Sequence, residues 1–401
     1  MISERGKNTP KSSIRKLMHY ADKARKEGVY VYHLNIGQPD IKTPKVILNG
    51  IRNFDEEILA YSPSQGIPEL REAITEYLNE DFSLKINPDE VFITTGGSEG
   101  ILFTLLAVLN YGEEILTPEP FYSNYGPFVS IAGCKLIPIE TSMENGFHLP
   151  SSQKIKSLIT PKTKAILVCS PNNPTGTLLT DEEMKMLVDI AFENNLWIFS
   201  DETYREIVFE GKAPKTFLQF EKAIDRIVVI DSISKKFSAC GARIGYVVTK
   251  NKELYDILLK FGMARLCAPT VEQYAAIKGF RERKNIIPEI VKEYEHRRNV
   301  AFEEIGEIEG VIYRKTEGAF YTIVKLPVEN AEEFIIWMLT SFRRDGKTTM
   351  ITPADGCYTF PSKGINEARI AFVLNEKDLR DALRILREGL YEFNNKYKKI
   401  G

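Results

Sequence analysis

Short apolar runs alternate with amphipathic stretches along most of this chain. Val91-Phe92-Ile93, Glu114-Ile115-Leu116, Ala165-Ile166-Leu167-Val168-Cys169, Leu196-Trp197-Ile198-Phe199 and Ile227-Val228-Val229-Ile230 are brief and bounded by turn-forming or polar residues, so they read as buried strands. Helical patterns lie between them. Ile101 to Leu106 follows the Gly96-Gly97 turn, and Thr180-Asp181-Glu182-Glu183 forms a capping box ahead of Met184 to Ile190. Alternation of this kind between about Asp55 and Thr249 predicts an α/β layer with a largely parallel sheet and helices on both faces. A charged, periodic stretch from Ile286 to Glu304 reads as a helix leaving that layer. Beyond it, Gly318 to Val324 and the segment Glu367-Ala368-Arg369-Ile370-Ala371-Phe372 suggest strands of a smaller α+β unit.

Three successive strands end in polar groups. Ala165 to Cys169 runs into Ser170-Pro171-Asn172-Asn173-Pro174-Thr175-Gly176, Leu196 to Phe199 into Ser200-Asp201-Glu202-Thr203-Tyr204, and Ile227 to Asp231 into Ser232-Ile233-Ser234-Lys235-Lys236-Phe237. Open parallel sheets bind ligands at the carboxyl ends of their strands. The last segment is followed by Gly241-Ala242-Arg243, eight residues beyond Lys235. An amine, two hydroxyls and a guanidinium at such spacing suit a covalently held, phosphate-bearing cofactor, although S-x-S-K alone is a common string in a chain with 53 Lys and Arg.

Taken together and in order, N-P-T-G at Asn173 to Gly176, D-x-x-Y at Asp201 to Tyr204 and S-x-S-K-x7-R at Ser232 to Arg243 resemble the class I aminotransferases of the fold-type I pyridoxal phosphate enzymes. The likeness extends from about Asn35 to Arg369 and is nearest in look to bacterial aspartate aminotransferase-like enzymes. It implies a large domain, 46–285, with a mostly parallel seven-stranded sheet flanked by helices, and a smaller α+β domain formed by 1–45 together with 286–401.

The resemblance also implies roles. Lys235 takes the place of the Schiff-base lysine; Lys236 is its rival, but the interval to Arg243 favours Lys235 and leaves Lys236 as a solvated or structural neighbour whose loss should spare turnover. Asp201 corresponds to the partner of the cofactor's pyridine nitrogen. Asn173 and Tyr204 correspond to hydrogen-bond donors to its phenolic oxygen, and Ser232, Ser234 and Arg243 to phosphate ligands. Gly97 and Ser98, where a strand turns into a helix, match the family's phosphate cup, since unpaired amides at a helix N-terminus bind anions; Glu99 sits beside that cup with its direction open. Tyr122 takes the position of the aromatic that stacks on the cofactor ring, whereas Phe121 and Tyr125 read as core. Tyr61, in Tyr61-Ser62-Pro63-Ser64-Gln65-Gly66, matches a tyrosine that reaches the phosphate in a neighbouring subunit, which implies a homodimer with shared sites. Arg369 corresponds to the ligand of the substrate α-carboxylate, with Gly37 offering a backbone amide beside it and Asn173 nearby.

Composition narrows the alternatives. A chain of 401 residues with 43% hydrophobic and 27% charged residues fits two or three globular domains, and a net charge of −2 gives no basic face of the kind nucleic-acid binders present. No apolar run approaches the roughly 20 residues that span a bilayer. With no signal-peptide core at the N-terminus, a cytoplasmic protein is expected, and five cysteines without a C-x-x-C read as reduced packing residues. Four scattered histidines give no metal-ligand spacing. About 35 residues precede Gly37, too few for the winged helix of an aminotransferase-like regulator.

The expectation is therefore a pyridoxal-5'-phosphate-dependent aminotransferase working by a ping-pong cycle between the pyridoxal and pyridoxamine forms. The resemblance points first to aspartate as amino donor and 2-oxoglutarate as acceptor. Aromatic, branched-chain, alanine or methionine donors are the alternatives, as is a carbon–sulfur lyase built on the same cofactor residues. A dicarboxylate donor requires a second cation for its distal carboxylate, and the sequence offers only Arg15, near the N-terminal arm.

Overall fold

The computed structural model describes residues 2–10, 12–360 and 362–397. The N-terminal strand β1 (Tyr30–His33) stands apart from the main sheet. That sheet is built from β2 (Val91–Thr94), β3 (Glu114–Glu119), β4 (Lys135–Glu140), β5 (Thr163–Cys169), β6 (Trp197–Asp201), β7 (Ile227–Ser232) and β8 (Gly245–Val248). Its strand order is β2-β8-β7-β6-β5-β3-β4. β4, β3, β5, β6 and β7 pair in parallel, while β8 runs antiparallel to both β2 and β7.

Both faces of the sheet are buried, which explains why its strands read as continuous apolar runs rather than alternating ones. Alternate side chains feed two separate cores. Leu167, Phe199, Val228 and Val247 join one hydrophobic cluster, and Ile166, Val168, Ile198, Val229 and Val248 join the other. Each such residue contributes roughly 1.5–3 kcal/mol by leaving water. The expected capping box is present on the helix Asp181–Glu193: Thr180 Oγ1 accepts from the Glu183 amide at 3.1 Å, and Glu183 Oε2 accepts from the Thr180 amide at 2.8 Å.

The helix expected from Ile286 runs over Arg283–Gly306. Beyond it lie β9 (Ile312–Tyr313), β10 (Tyr321–Lys325), β11 (Lys347–Met350), β12 (Thr352–Pro353) and β13 (Glu367–Ala371). β12, β13, β10 and β9 form an antiparallel sheet in which Arg369 pairs with Ile323 on one side and Thr352 on the other. β1 pairs in parallel with β11, so the N-terminal arm is fastened to the C-terminal part of the chain. The first hydrophobic cluster is continuous from Leu167 and Phe199 to Tyr321, Ile370 and Leu386, tying the antiparallel sheet to the main one. Register then does the positioning. Cys169 lies opposite Asp201, and Asp201 opposite Ile230, so the loops after β5, β6 and β7 leave the sheet side by side.

Candidate active site

These three loops, the glycine turn after β2, the N-terminal arm and β13 converge on a cavity of about 670 Å³. Gly37, Gly97, Ser98, Tyr122, Asn173, Asp201, Tyr204, Ser232, Ser234, Lys235, Arg243 and Arg369 all line it. Of the residues given a cofactor or substrate role from sequence, Tyr61 alone lies outside, 77% exposed on the surface.

Lys235 sits on a single helical turn, Ile233–Lys236, capped by Ser232, whose Oγ accepts from the Ser234 amide at 3.3 Å. Its Nζ donates to the Gly37 carbonyl at 2.7 Å and lies 3.5 Å from Cys240 Sγ; it forms no ion pair with any described carboxylate. Its neighbour has the opposite environment. Lys236 is fully buried, with Nζ 2.6 Å from Asp231 Oδ2 and 3.0 Å from Glu206 Oε1. Arg205, also fully buried, bonds Glu202, Glu206 and Asp231 in the same cluster. Lys236 is thus committed to structure and is not a solvated residue, because consecutive residues of a helical turn point about 100° apart.

Asp201 ends β6 and is 5% exposed. Oδ1 accepts from the Thr203 amide at 3.2 Å and Oδ2 from the Tyr125 hydroxyl at 2.8 Å. Burial pushes its carboxyl above the ordinary range against those hydrogen bonds, and no described cation pairs with it. Tyr125 was legible only as core; it packs there, but its hydroxyl also serves Asp201. Tyr122, three residues before Tyr125, has its phenol pushed up to about 12, mainly by burial.

A polar chain crosses the cavity. Arg369 is 2% exposed and has no acidic partner among the described residues; its Nη2 donates to the Asn35 carbonyl at 2.6 Å and its Nη1 to Asn173 Oδ1 at 3.0 Å. Nε is buried without a partner. Asn173 Nδ2 donates to the Tyr204 hydroxyl at 3.4 Å, and that hydroxyl lies 3.0 Å from the hydroxyl of Tyr321. Tyr321, whose segment reads from sequence only as a strand, presents its ring to the Arg369 guanidinium at 4.5 Å. Gly37 is required by this neighbour: a Cβ there would lie 1.7 Å from the Tyr321 hydroxyl.

At the opposite end, the helix Gly97–Val108 points its free amides into the cavity. Gly96 caps it at φ 75°, and a Cβ at that position would meet Arg243 Nη2 at 2.2 Å, so the glycine lets the guanidinium approach the helix end. Glu99 is turned away. Its Oε2 accepts from the Thr95 amide at 2.7 Å and pairs with Arg265 Nη1 at 2.6 Å, which removes an anion from the cup. Arg15 lines the rim of the cavity, exposed and without an ion-pair partner among the described residues.

The donor set fits pyridoxal phosphate. It offers an unpaired amine, a buried carboxylate lacking a cation, two hydroxyl or amide donors, and an anion cradle made of a helix N-terminus, two serines and an arginine. Among the described residues no group of three His, Cys, Asp or Glu side chains could hold a metal, and no helix is long and apolar enough to cross a membrane.

A lysine and an aspartate at adjacent strand ends of a seven-stranded α/β sheet, facing an anion cradle and a buried arginine, are the arrangement of a fold-type I pyridoxal phosphate enzyme. The chain belongs to the family described as aminotransferase class I and II, which its residues 30–386 match. It is 32% identical over 393 residues to the (5-formylfuran-3-yl)methyl phosphate transaminase of Methanocaldococcus jannaschii, covering 97% of this chain and all of that one. The aromatic-amino-acid aminotransferase 2 of Thermococcus litoralis is 31% identical, covering 98% of each chain. Among solved structures, the aspartate aminotransferase of Thermus thermophilus with maleate superposes with a TM-score of 0.87 at 26% identity, covering 97% of this chain and 99% of that one. The family depends on pyridoxal phosphate, and the chain is an enzyme of that kind, a transaminase.

Proposed function

We propose that the enzyme transfers the amino group of an L-amino acid, with aspartate as first donor, to 2-oxoglutarate in a ping-pong cycle, using Lys235 as its catalytic amine. The observation that carries this reading is Arg369: a buried guanidinium without an acid partner, with Nε unfilled, in the same cavity as an equally unpaired lysine. A planar guanidinium of this kind suits a carboxylate held by two hydrogen bonds.

When bound, pyridoxal phosphate supplies an aldehyde carbon and an electron-withdrawing ring. Gly97, Ser98, Ser232, Ser234 and Arg243 would hold its phosphate, Asp201 its ring nitrogen, Asn173 and Tyr204 its phenolic oxygen, and Tyr122 its ring face. Asp201, buried and lacking a cation, keeps a proton on the group it faces. Lys235 would take the α proton of the substrate and hand it to the carbon that the cofactor supplies; in the structure its Nζ donates to the Gly37 carbonyl. Residues 46–285 act as the cofactor-holding domain, and 1–45 with 286–401 as the smaller one.

Aspartate as donor rests on Arg15, a cation at the rim without an ion-pair partner among the described residues, which would meet a distal carboxylate. The names of the relatives span aspartate, aromatic and phosphate-bearing substrates, so side-chain preference is the part to test. Steady-state kinetics with a donor panel and 2-oxoglutarate should rank aspartate first. Turnover of phenylalanine or tyrosine with aspartate inert would overturn the donor assignment, and ammonia with no glutamate formed would make the enzyme a lyase. Homodimerisation is part of the same proposal. Ile58, Leu59 and Tyr61 are 78%, 67% and 77% exposed in one segment, an apolar edge that a second copy would cover while Tyr61 reaches its site.

A further inference from the structure

The hydrogen-bond chain across the cavity, with the cofactor placed as above, fixes the direction of one proton. Guanidinium groups only donate, so Arg369 Nη1 at 3.0 Å requires that Asn173 present its oxygen there. The amide nitrogen of Asn173 must then face Tyr204 and donate to its hydroxyl at 3.4 Å. A phenolic oxygen can accept twice but holds a single hydrogen. With one acceptor position taken by Asn173, the Tyr321 hydroxyl 3.0 Å away can either fill the second or receive the Tyr204 hydrogen. Tyr321 is 2% exposed, and its hydroxyl has no hydrogen-bond partner among the described residues other than Tyr204. Both hydroxyls belong to residues that line the cavity, so either hydrogen can turn toward it; with the cofactor placed as above, its phenolic oxygen takes the Tyr204 hydrogen and Tyr321 is left to donate. Both hydrogens are then used: Tyr321 gives its own to Tyr204, and Tyr204 keeps its own for the cavity.

We propose that Tyr321 is a positioning residue that donates to Tyr204 and thereby aims the Tyr204 proton at the phenolic oxygen of bound cofactor. The inference rests on the cofactor placement given above. It also separates two jobs of one side chain. The hydroxyl sets the Tyr204 proton, while the ring, 4.5 Å from the Arg369 guanidinium, supports the carboxylate site.

The test is spectrophotometric titration of the lysine-bound cofactor in holoenzyme, alongside the dissociation constant of succinate, a dicarboxylate that cannot react. A proton aimed at the phenolic oxygen favours the deprotonated form of the lysine-bound cofactor and lowers its pKa. Tyr321→Phe keeps the ring and removes the hydroxyl, so the titration midpoint should rise by about one unit. Succinate affinity should stay within about twofold of wild type. Tyr321→Leu removes both parts and should in addition weaken succinate about fivefold. Tyr204→Phe is the control and should raise the midpoint at least as far as Tyr321→Phe. An unchanged midpoint in Tyr321→Phe with a raised one in Tyr204→Phe overturns the inference alone. An unchanged midpoint in Tyr204→Phe overturns the cofactor placement, and the inference with it.

Discussion

Replacing Lys236 by alanine takes one of two cations out of a fully buried cluster of three carboxylates. Nζ lies 2.6 Å from Asp231 Oδ2, 3.0 Å from Glu206 Oε1, and 3.3 and 3.4 Å from the hydroxyls of Tyr77 and Tyr246. Without it, Arg205 alone faces Glu202, Glu206 and Asp231, and Glu206 Oε2 already lacks a partner. Removing one member of a buried ion-pair network costs about 3–5 kcal/mol. Taking about 4 kcal/mol and the unfolding entropy of a chain this long, the Tm should fall by about 5 °C.

The pH dependence follows from Glu206. Burial pushes its carboxyl up, but Lys236 and then Arg205 outweigh burial and hold it at about 2. In the parent protein that depressed value contributes stability above 4.5, the ordinary value, and the contribution is lost as pH falls from there toward 2. In the variant the strongest attraction is gone, burial raises the carboxyl, and its ionised form costs stability at neutral and alkaline pH. The deficit should therefore be largest at about pH 8 and should narrow toward about pH 5, as the carboxyl takes up its proton. Thermal unfolding of both proteins at these two pH values is the assay. Cofactor absorbance and turnover below the transition should be retained, since Lys236 does not reach the cavity. A Tm within about 1 °C of the parent at pH 8, or an equal deficit at both pH values, would refute the reasoning.

Three further outcomes are expected. Arg369→Ala should raise the KM of every amino donor about 100-fold, because a buried charge-assisted contact to the common α-carboxylate is worth about 3 kcal/mol; an effect confined to one donor would contradict its role. Arg15→Gln should instead raise KM about tenfold for aspartate and glutamate and leave alanine unchanged, as a rim cation does for a distal carboxylate; equal effects on all three would remove Arg15 from substrate recognition. Gly37→Ala should lower kcat/KM by at least about tenfold with an unchanged circular dichroism spectrum, because the new methyl meets the Tyr321 hydroxyl; wild-type kinetics would show that Tyr321 can move without consequence.

Much of the site was legible because its residues are local in sequence. Asp201 and Lys235 close apolar runs that can only be strands, and Gly96-Gly97 turns into a helix whose capping geometry the glycines permit. What escaped depends on pairs of residues far apart in the chain. Tyr125 meets Asp201 across 76 residues and Tyr321 meets Tyr204 across 117, contacts set by strand order and by the docking of β10 rather than by any local pattern. The same holds for Glu99, whose direction is decided by Arg265 on a helix 166 residues later. Lys236 shows the limit most plainly: the interval to Arg243 singles out Lys235, but nothing local tells whether Lys236 faces solvent or a buried cluster. The insertion of antiparallel β8 between β2 and β7 was equally hidden, since alternating strands and helices specify neighbours in sequence, not order in the sheet.

The central claim is that Lys235 performs the amino-transfer half-reaction. The most direct measurement is a single turnover of the pyridoxal-phosphate enzyme with aspartate and no acceptor, followed by absorbance and product analysis, in wild type and in Lys235→Ala. Wild type should lose the band of the lysine-bound cofactor and yield one equivalent each of oxaloacetate and the pyridoxamine form, whereas Lys235→Ala should show neither the band nor the product. Oxaloacetate from Lys235→Ala at the wild-type rate, or release of ammonia in place of the pyridoxamine form, would contradict that claim.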